Sequence, residues 1–166
     1  VNGVSKAYSM TGWRIGYAGG PEFLIKSMAK IQSQSTSNPT SISQYAALEA
    51  LKSSNSFLNE NNAIFLRRRN LILDFVNKSK GLDCNKPNGA FYIFPSCEKL
   101  IGHRTQEGKI ISNSSDFCKY LLEEVGIAVV PGIAFGMENF FRISYATSDE
   151  ILKESGSRIL DACSRL

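Results

Sequence analysis

The chain has 166 residues, of which 43% are apolar and 20% charged, so it can bury one ordinary hydrophobic core and is about one domain by length. Nineteen Lys and Arg stand against 15 Asp and Glu, a net charge of +4 spread along the chain rather than clustered, which argues against a nucleic-acid surface. No run approaches the roughly 20 apolar residues of a membrane span, and no secretory leader pattern opens the chain. Cys84, Cys97, Cys118 and Cys163 form no CxxC pair, and His103 is the only histidine. A metal site and a dense disulfide scaffold are therefore not expected, and free thiols in a reducing, cytoplasmic compartment are. A chain opening at Val1 without methionine reads as a fragment or a trimmed product.

Taken in order, Val1 to Val4 reads as a strand end leading into a lysine-bearing loop. Residues 12–18 alternate Trp13, Ile15 and Tyr17 with Gly and Arg, the period of a strand. Gly19-Gly20-Pro21 turns the chain, and Phe23, Leu24, Met28 and Ile31 recur at helical spacing over 22–34. A hydroxyl-rich loop over 33–43 is broken by Asn38-Pro39. A helix is expected over 42–51, then a longer one over 57–79, capped by Asn55 or Ser56 and stopped by Gly81. Arg67, Arg68 and Arg69 fan out around that helix and read as a solvated face.

After the long helix the pattern becomes alternating strand and helix. Strands are expected over 82–84, 90–94, 127–130 and 140–145. Residues 98–113, with Gly102 and Gly108, read as a mobile excursion. Ser114 or Ser115 is the expected cap of a helix reaching Val125 and ended by Gly126. Ser148 caps a last helix over 149–164, with Glu150 in the first turn where the helix dipole favours it. The whole is α/β, with no internal repeat, and a domain boundary falls inside or just before the long helix.

The chemistry concentrates in the first seventeen residues, VNGVSKAYSMTGWRIGY. Lys6 sits among small and hydroxyl side chains. Burial favours a neutral amine, and a neutral amine is a nucleophile. Arg14 follows in a Gly-Trp-Arg-Ile-Gly run and offers a fork of donors suited to phosphate. An amine beside a phosphate clamp suits a phosphorylated aldehyde cofactor. Spacing alone leaves open a solvated lysine and a surface Arg stacked on Trp. Arg142, between aromatics in Phe140-Phe141-Arg142-Ile143-Ser144-Tyr145, reads from its residues alone as a rim arginine paired with a surface acid.

The run from Ser5 to Tyr17 closely resembles the cofactor-lysine segment of class I aminotransferases of the aspartate aminotransferase family, pyridoxal-phosphate enzymes of fold type I, and the resemblance continues to the C-terminus. It implies the C-terminal part of a fold type I large domain, residues 1–55, joined by a long helix to a small α/β sandwich domain, residues 56–166. It implies that Lys6 carries pyridoxal 5'-phosphate covalently and shuttles the substrate's α-proton. Arg14 would hold the cofactor phosphate, with Ser5 donating to the same group. Arg142 would grip the substrate α-carboxylate. Ser37 and Asn38 resemble a loop reaching a neighbour's site in a homodimer, with a plain connector as the alternative. Asn88-Gly89-Ala90-Phe91-Tyr92 resembles the segment that closes over the substrate, where Phe91 would exclude water; core packing accounts for Phe91 as well.

Several parts of such enzymes have no counterpart in these residues: the Gly-rich phosphate loop, the ring-stacking aromatic, the Asp on the ring nitrogen, the Tyr on the ring hydroxyl and the distal-carboxylate residue. The expectation is a C-terminal portion, inactive alone, of a transaminase moving the amino group of aspartate to 2-oxoglutarate by a ping-pong route. Alternatives are an aromatic or prephenate aminotransferase, a carbon–sulfur lyase of the same fold, or a non-catalytic folding or association module.

Overall fold

A computed structural model describes residues 1–54 and 56–166, so the expected cap at Asn55 lies outside the described residues. The described chain forms two compact units, Val1–Asn61 and Asn62–Leu166. The division falls inside the long helix, and the sequence pattern places a boundary inside or just before that helix.

In the first unit, strands β1 (Asn2–Gly3) and β2 (Gly16–Tyr17) pair antiparallel, with Asn2 opposite Tyr17 and Gly3 opposite Gly16. The residues between them form a closed loop. The expected strand over 12–18 is shorter than its alternation suggested. Thr11–Trp13 turns as a 3-10 helix and Arg14 adopts a left-handed conformation, so the strand period begins only after Ile15. Helix α1 (Glu22–Ser33) follows Pro21, and α2 (Ser41–Lys52) is capped by Thr40, whose hydroxyl accepts from the Ser43 N–H. Ser43 is buried and donates from Oγ to the Trp13 carbonyl at 2.7 Å, tying α2 to the loop. Helix α3 (Ser56–Lys78) begins in this unit, where Phe57 lies against Tyr8 with ring centroids 5.7 Å apart.

The second unit is a three-stranded antiparallel sheet in the order β3 (Tyr92–Ile93), β5 (Phe141–Ser144), β4 (Val130–Pro131). Its inner face, with Ile93, Phe141 and Ile143, joins one core with Ile72 and Val76 of α3, Phe117 and Leu121 of α4 (Ser114–Val125), and Leu152, Ile159 and Cys163 of α5 (Asp149–Ser164). Phe117 and Phe141 meet edge to face at 5.2 Å. Each such fully buried side chain contributes about 1.5–3 kcal/mol. Expected strand 82–84 reduces to a single bridge, Asp83 to Ser96. Gly126 ends α4 in the left-handed conformation, and Ser148 caps α5 by accepting from the Ile151 N–H.

Three expectations are corrected here. Helix α4 is capped by Asn113, whose side chain accepts from the Asp116 N–H, rather than by Ser114 or Ser115; Ser114 is fully buried within the helix. Residues 98–113 are anchored rather than loose: Leu100 and Ile111 are buried, and the Gly102 N–H donates to the Ile111 carbonyl at 2.7 Å. Arg67 to Arg69 are not simply a solvated face, although Arg67 itself is exposed. Arg67 and Arg68 both donate to Asp149 at the start of α5, at 2.7 and 3.0 Å, and Arg69 is buried, donating to the Pro87 carbonyl at 2.9 Å. A run of three adjacent arginines looks alike whether it meets water or a partner, because the carboxylate that Arg67 and Arg68 share lies some eighty residues away and the acceptor of Arg69 is a backbone carbonyl.

All four cysteines are free and buried. Burial pushes the thiols up, Cys97 to about 11 and Cys118 and Cys163 to about 12, so they are inert packing groups rather than reactive centres.

Two predictions follow from this packing. A Cβ on Gly132 would lie 2.0 Å from the Met137 carbonyl oxygen and 2.4 Å from that of Phe140, both backbone atoms. Gly132→Ala should therefore lower the stability of the second unit by on the order of 3 kcal/mol, read as a reduced urea midpoint. Hydrogen bonds from Arg67 and then Arg68 hold the Asp149 carboxyl down to about 2. Its contribution is complete above the unfolded carboxyl value of about 4 and is lost as pH falls through about 2. Asp149→Asn should be less stable than the natural protein at neutral pH, with the gap between thermal midpoints closing between pH 4 and pH 2.

Candidate active site

In the first unit, Ser5, Lys6 and Arg14 share the one loop that the β1–β2 pair closes. Val4 is buried at its base, and the Tyr8 N–H donates to the Val4 carbonyl, so the chain around Lys6 makes a helical turn. Ser5 is half-buried; Lys6 and Arg14 are exposed. The sequence reading had Lys6 desolvated by its small neighbours. Those neighbours are too small and too near the loop's surface to cover a four-carbon stem, so the second wall of such a site is not made by this loop. Arg14 sits at φ 51°, ψ 49°, and its guanidinium donates to the Thr11 carbonyl at 3.1 Å. A left-handed conformation costs a non-glycine residue about 1–2 kcal/mol. The turn that imposes it aims the arginine back along its own loop.

Ser37 and Asn38 lie exposed in the turn after α1. The Ser37 N–H donates to the Gln32 carbonyl at 2.9 Å, and Ser37 has φ 61°. Asn38 leads through half-buried Pro39 to the cap of α2.

In the second unit, Arg142 occupies the outer face of β5, half-buried between inward-facing Phe141 and Ile143. Its guanidinium carbon lies 4.3 Å from the ring centroid of Tyr92 and 4.6 Å from that of Phe135. The guanidinium makes no hydrogen bond or ion pair among the described residues, which contradicts the reading of a rim arginine paired with an acid. Two rings at these distances contribute about 0.5–2 kcal/mol each to holding a partly desolvated cation and satisfy none of its N–H donors. Those donors suit a carboxylate.

Phe91 is half-buried, its ring 4.3 Å from that of Tyr92 and 6.3 Å from that of Phe65. It therefore stands one ring away from the Arg142 guanidinium. Before it, Ala90 has φ 62°, and its carbonyl accepts from the Tyr145 hydroxyl at 3.0 Å. Arg69, through the Pro87 carbonyl, pins the start of the same segment. A hollow of about 330 Å³ opens here, lined among others by Arg69, Asn88, Ala90 and Tyr145.

Among the described residues, the non-glycine positions with positive φ are Ser9, Arg14, Ser37 and Ala90. Each lies in or next to a segment that carries a candidate residue, and backbone strain of this kind gathers at functional sites. Sequence reasoning missed Arg69, Tyr92 and Phe135 as supports. The signal for Phe135 was available in Pro131-Gly132 followed by an apolar turn, but a turn's return path cannot be read from its composition.

The family model for aminotransferase class I and II matches residues 1–159. A protein of Rickettsia felis called a probable aspartate/prephenate aminotransferase is 59% identical over 98% of this chain, and an aspartate aminotransferase of Rhizobium meliloti is 58% identical over all of it. The chain spans about 40% of the length of each relative. The crystal structure of the aspartate aminotransferase from Rhizobium meliloti superposes with a TM-score of 0.96 at 57% identity, over 99% of this chain and 41% of that one. An aromatic aminotransferase from Pyrococcus horikoshii superposes at 0.85 with 40% identity, over 96% of this chain and 41% of that one. With sequence and fold matched over nearly its whole length, the chain belongs to the class I and II aminotransferase family.

Proposed function

We propose that this chain is the part of a pyridoxal-phosphate-dependent aminotransferase that supplies the cofactor lysine and the two arginines that fix the cofactor and the substrate. Family membership over residues 1–159 carries the reading. The strained backbone at Arg14, Ser37 and Ala90 and the unspent donors of Arg142 support it. The donors within the β1–β2 loop also fit the cofactor: a primary amine for its carbonyl, a guanidinium and a hydroxyl for its phosphate.

Pyridoxal 5'-phosphate, when bound, supplies the electron sink that lets an α-hydrogen leave as a proton. The chain's own residues do the rest. Lys6 would hold the cofactor through its amine and would move the proton at the substrate α-carbon as general base and acid. Arg14 offsets the phosphate charge, and Ser5 adds a neutral donor. Arg142 takes the α-carboxylate on its guanidinium edge and so orients the α-hydrogen. Phe91 keeps water from the reacting centre. Ser37 and Asn38 reach toward the neighbouring site of a homodimer.

The substrates that fit best are aspartate and 2-oxoglutarate exchanging an amino group by a ping-pong route. Prephenate as a second acceptor is favoured by the naming of the Rickettsia relative. Residues 1–166 without the remaining cofactor contacts should not turn over. The four buried free thiols suit a reducing cytoplasm.

The full-length protein, incubated with pyridoxal phosphate and reduced with borohydride, should carry the adduct on the peptide containing Lys6. Lys6→Ala should lose both the adduct and all but a trace of turnover. An adduct on another lysine in the unaltered protein would overturn the assignment.

A further inference from the structure

We propose that Tyr92 and Phe135 are positioning residues for Arg142, holding its guanidinium from either side so that its N–H edge is presented to the carboxylate. This rests on the reading of Arg142 as the α-carboxylate ligand.

The two rings come from opposite directions. Tyr92 belongs to β3 and Phe135 to the 3-10 turn Gly132–Phe135 that follows β4, and β3 and β4 flank β5 on its two edges. Each ring is itself braced. Behind Tyr92 stands Phe91 at 4.3 Å. Behind Phe135 stands Phe94, edge-on at 5.8 Å, which stacks on Phe140 at 5.4 Å with 12° between the planes. The turn carrying Phe135 closes because the Gly132 N–H donates to the Phe140 carbonyl at 2.7 Å, an approach that leaves no room for a Cβ. With rings on either side, water competes for the cation at its edge alone. That edge presents parallel N–H bonds in a plane, which match the two oxygens of a carboxylate. A lysine there would keep the charge and lose the fork.

The test uses the full-length protein with pyridoxal phosphate bound. Phe135→Leu and Tyr92→Leu should each raise KM for the amino acid and the oxo acid by about tenfold, the size of one partly desolvated cation–π contact, with kcat changed less than about threefold. Phe135→Tyr should restore KM. Fluorinated phenylalanines at position 135 keep the shape and drain the ring face. Calorimetry with maleate, a dicarboxylate without an amino group to transfer, should then show a dissociation constant that rises with each fluorine. The Arg142 Nε–H proton resonance, identified by its loss in Arg142→Lys, should be ring-shifted upfield and return toward the free-arginine position in either Leu variant.

Unchanged KM in both Leu variants, or maleate affinity indifferent to fluorination, overturns the clamp while Arg142→Lys still raises KM. Unchanged KM in Arg142→Lys is a different result. It removes the carboxylate reading itself, and the clamp's purpose with it.

Discussion

Successive side chains on a strand point to opposite faces, and β5 has one face that must be covered. Phe141 is wholly buried and Ile143 nearly so, both in the core with Phe117, Leu121 and Ile159. Their burial obliges Arg142 to stand on the other face, whatever that face is for. A one-residue slip of β5 would drive a guanidinium into the core and expose two large apolar groups, at a cost of several kcal/mol. The core thus fixes the side on which the arginine appears. The aromatic surroundings contributed by β3 and by the turn after β4 fix its orientation. Packing and recognition are two faces of a single four-residue strand.

The loop holding Lys6 and Arg14 is governed differently. Two residue pairs close it, Val4 anchors its base, and Ser43 fastens its far end through the Trp13 carbonyl. Little apolar area is spent on it. Its conformation depends on hydrogen bonds and on backbone torsions at Ser9 and Arg14 that L-residues seldom adopt. A loop built that way is defined by its surroundings as much as by its own sequence, which agrees with the exposure of Lys6.

Helices were readable from the chain because their signals are local. Pro21, Ser148 and Gly126 mark ends by chemistry confined to a few residues, and the expected bounds of α5 agree with the structure. The strands were readable as positions and not as lengths: residues 90–94 shrink to Tyr92–Ile93, since strand extent depends on a partner the sequence does not name. Arg14 and Arg142 stood out through the family resemblance, since their own settings read equally as surface arginines, and the ring neighbours of the Arg142 guanidinium did not stand out at all, because Phe135 and Tyr92 meet it only through sheet order. Arg69 was misjudged for a related reason. Its acceptor is a carbonyl of Pro87, and backbone acceptors leave no trace in composition.

Four thiols sealed inside one small unit have a consequence of their own. While the unit stays folded, an oxidant reaches neither Cys97 nor Cys163, which have no exposed surface at all. A mixed disulfide or a sulfenic acid on either of these two therefore dates from a moment when the core had opened, so they keep a chemical record of unfolding.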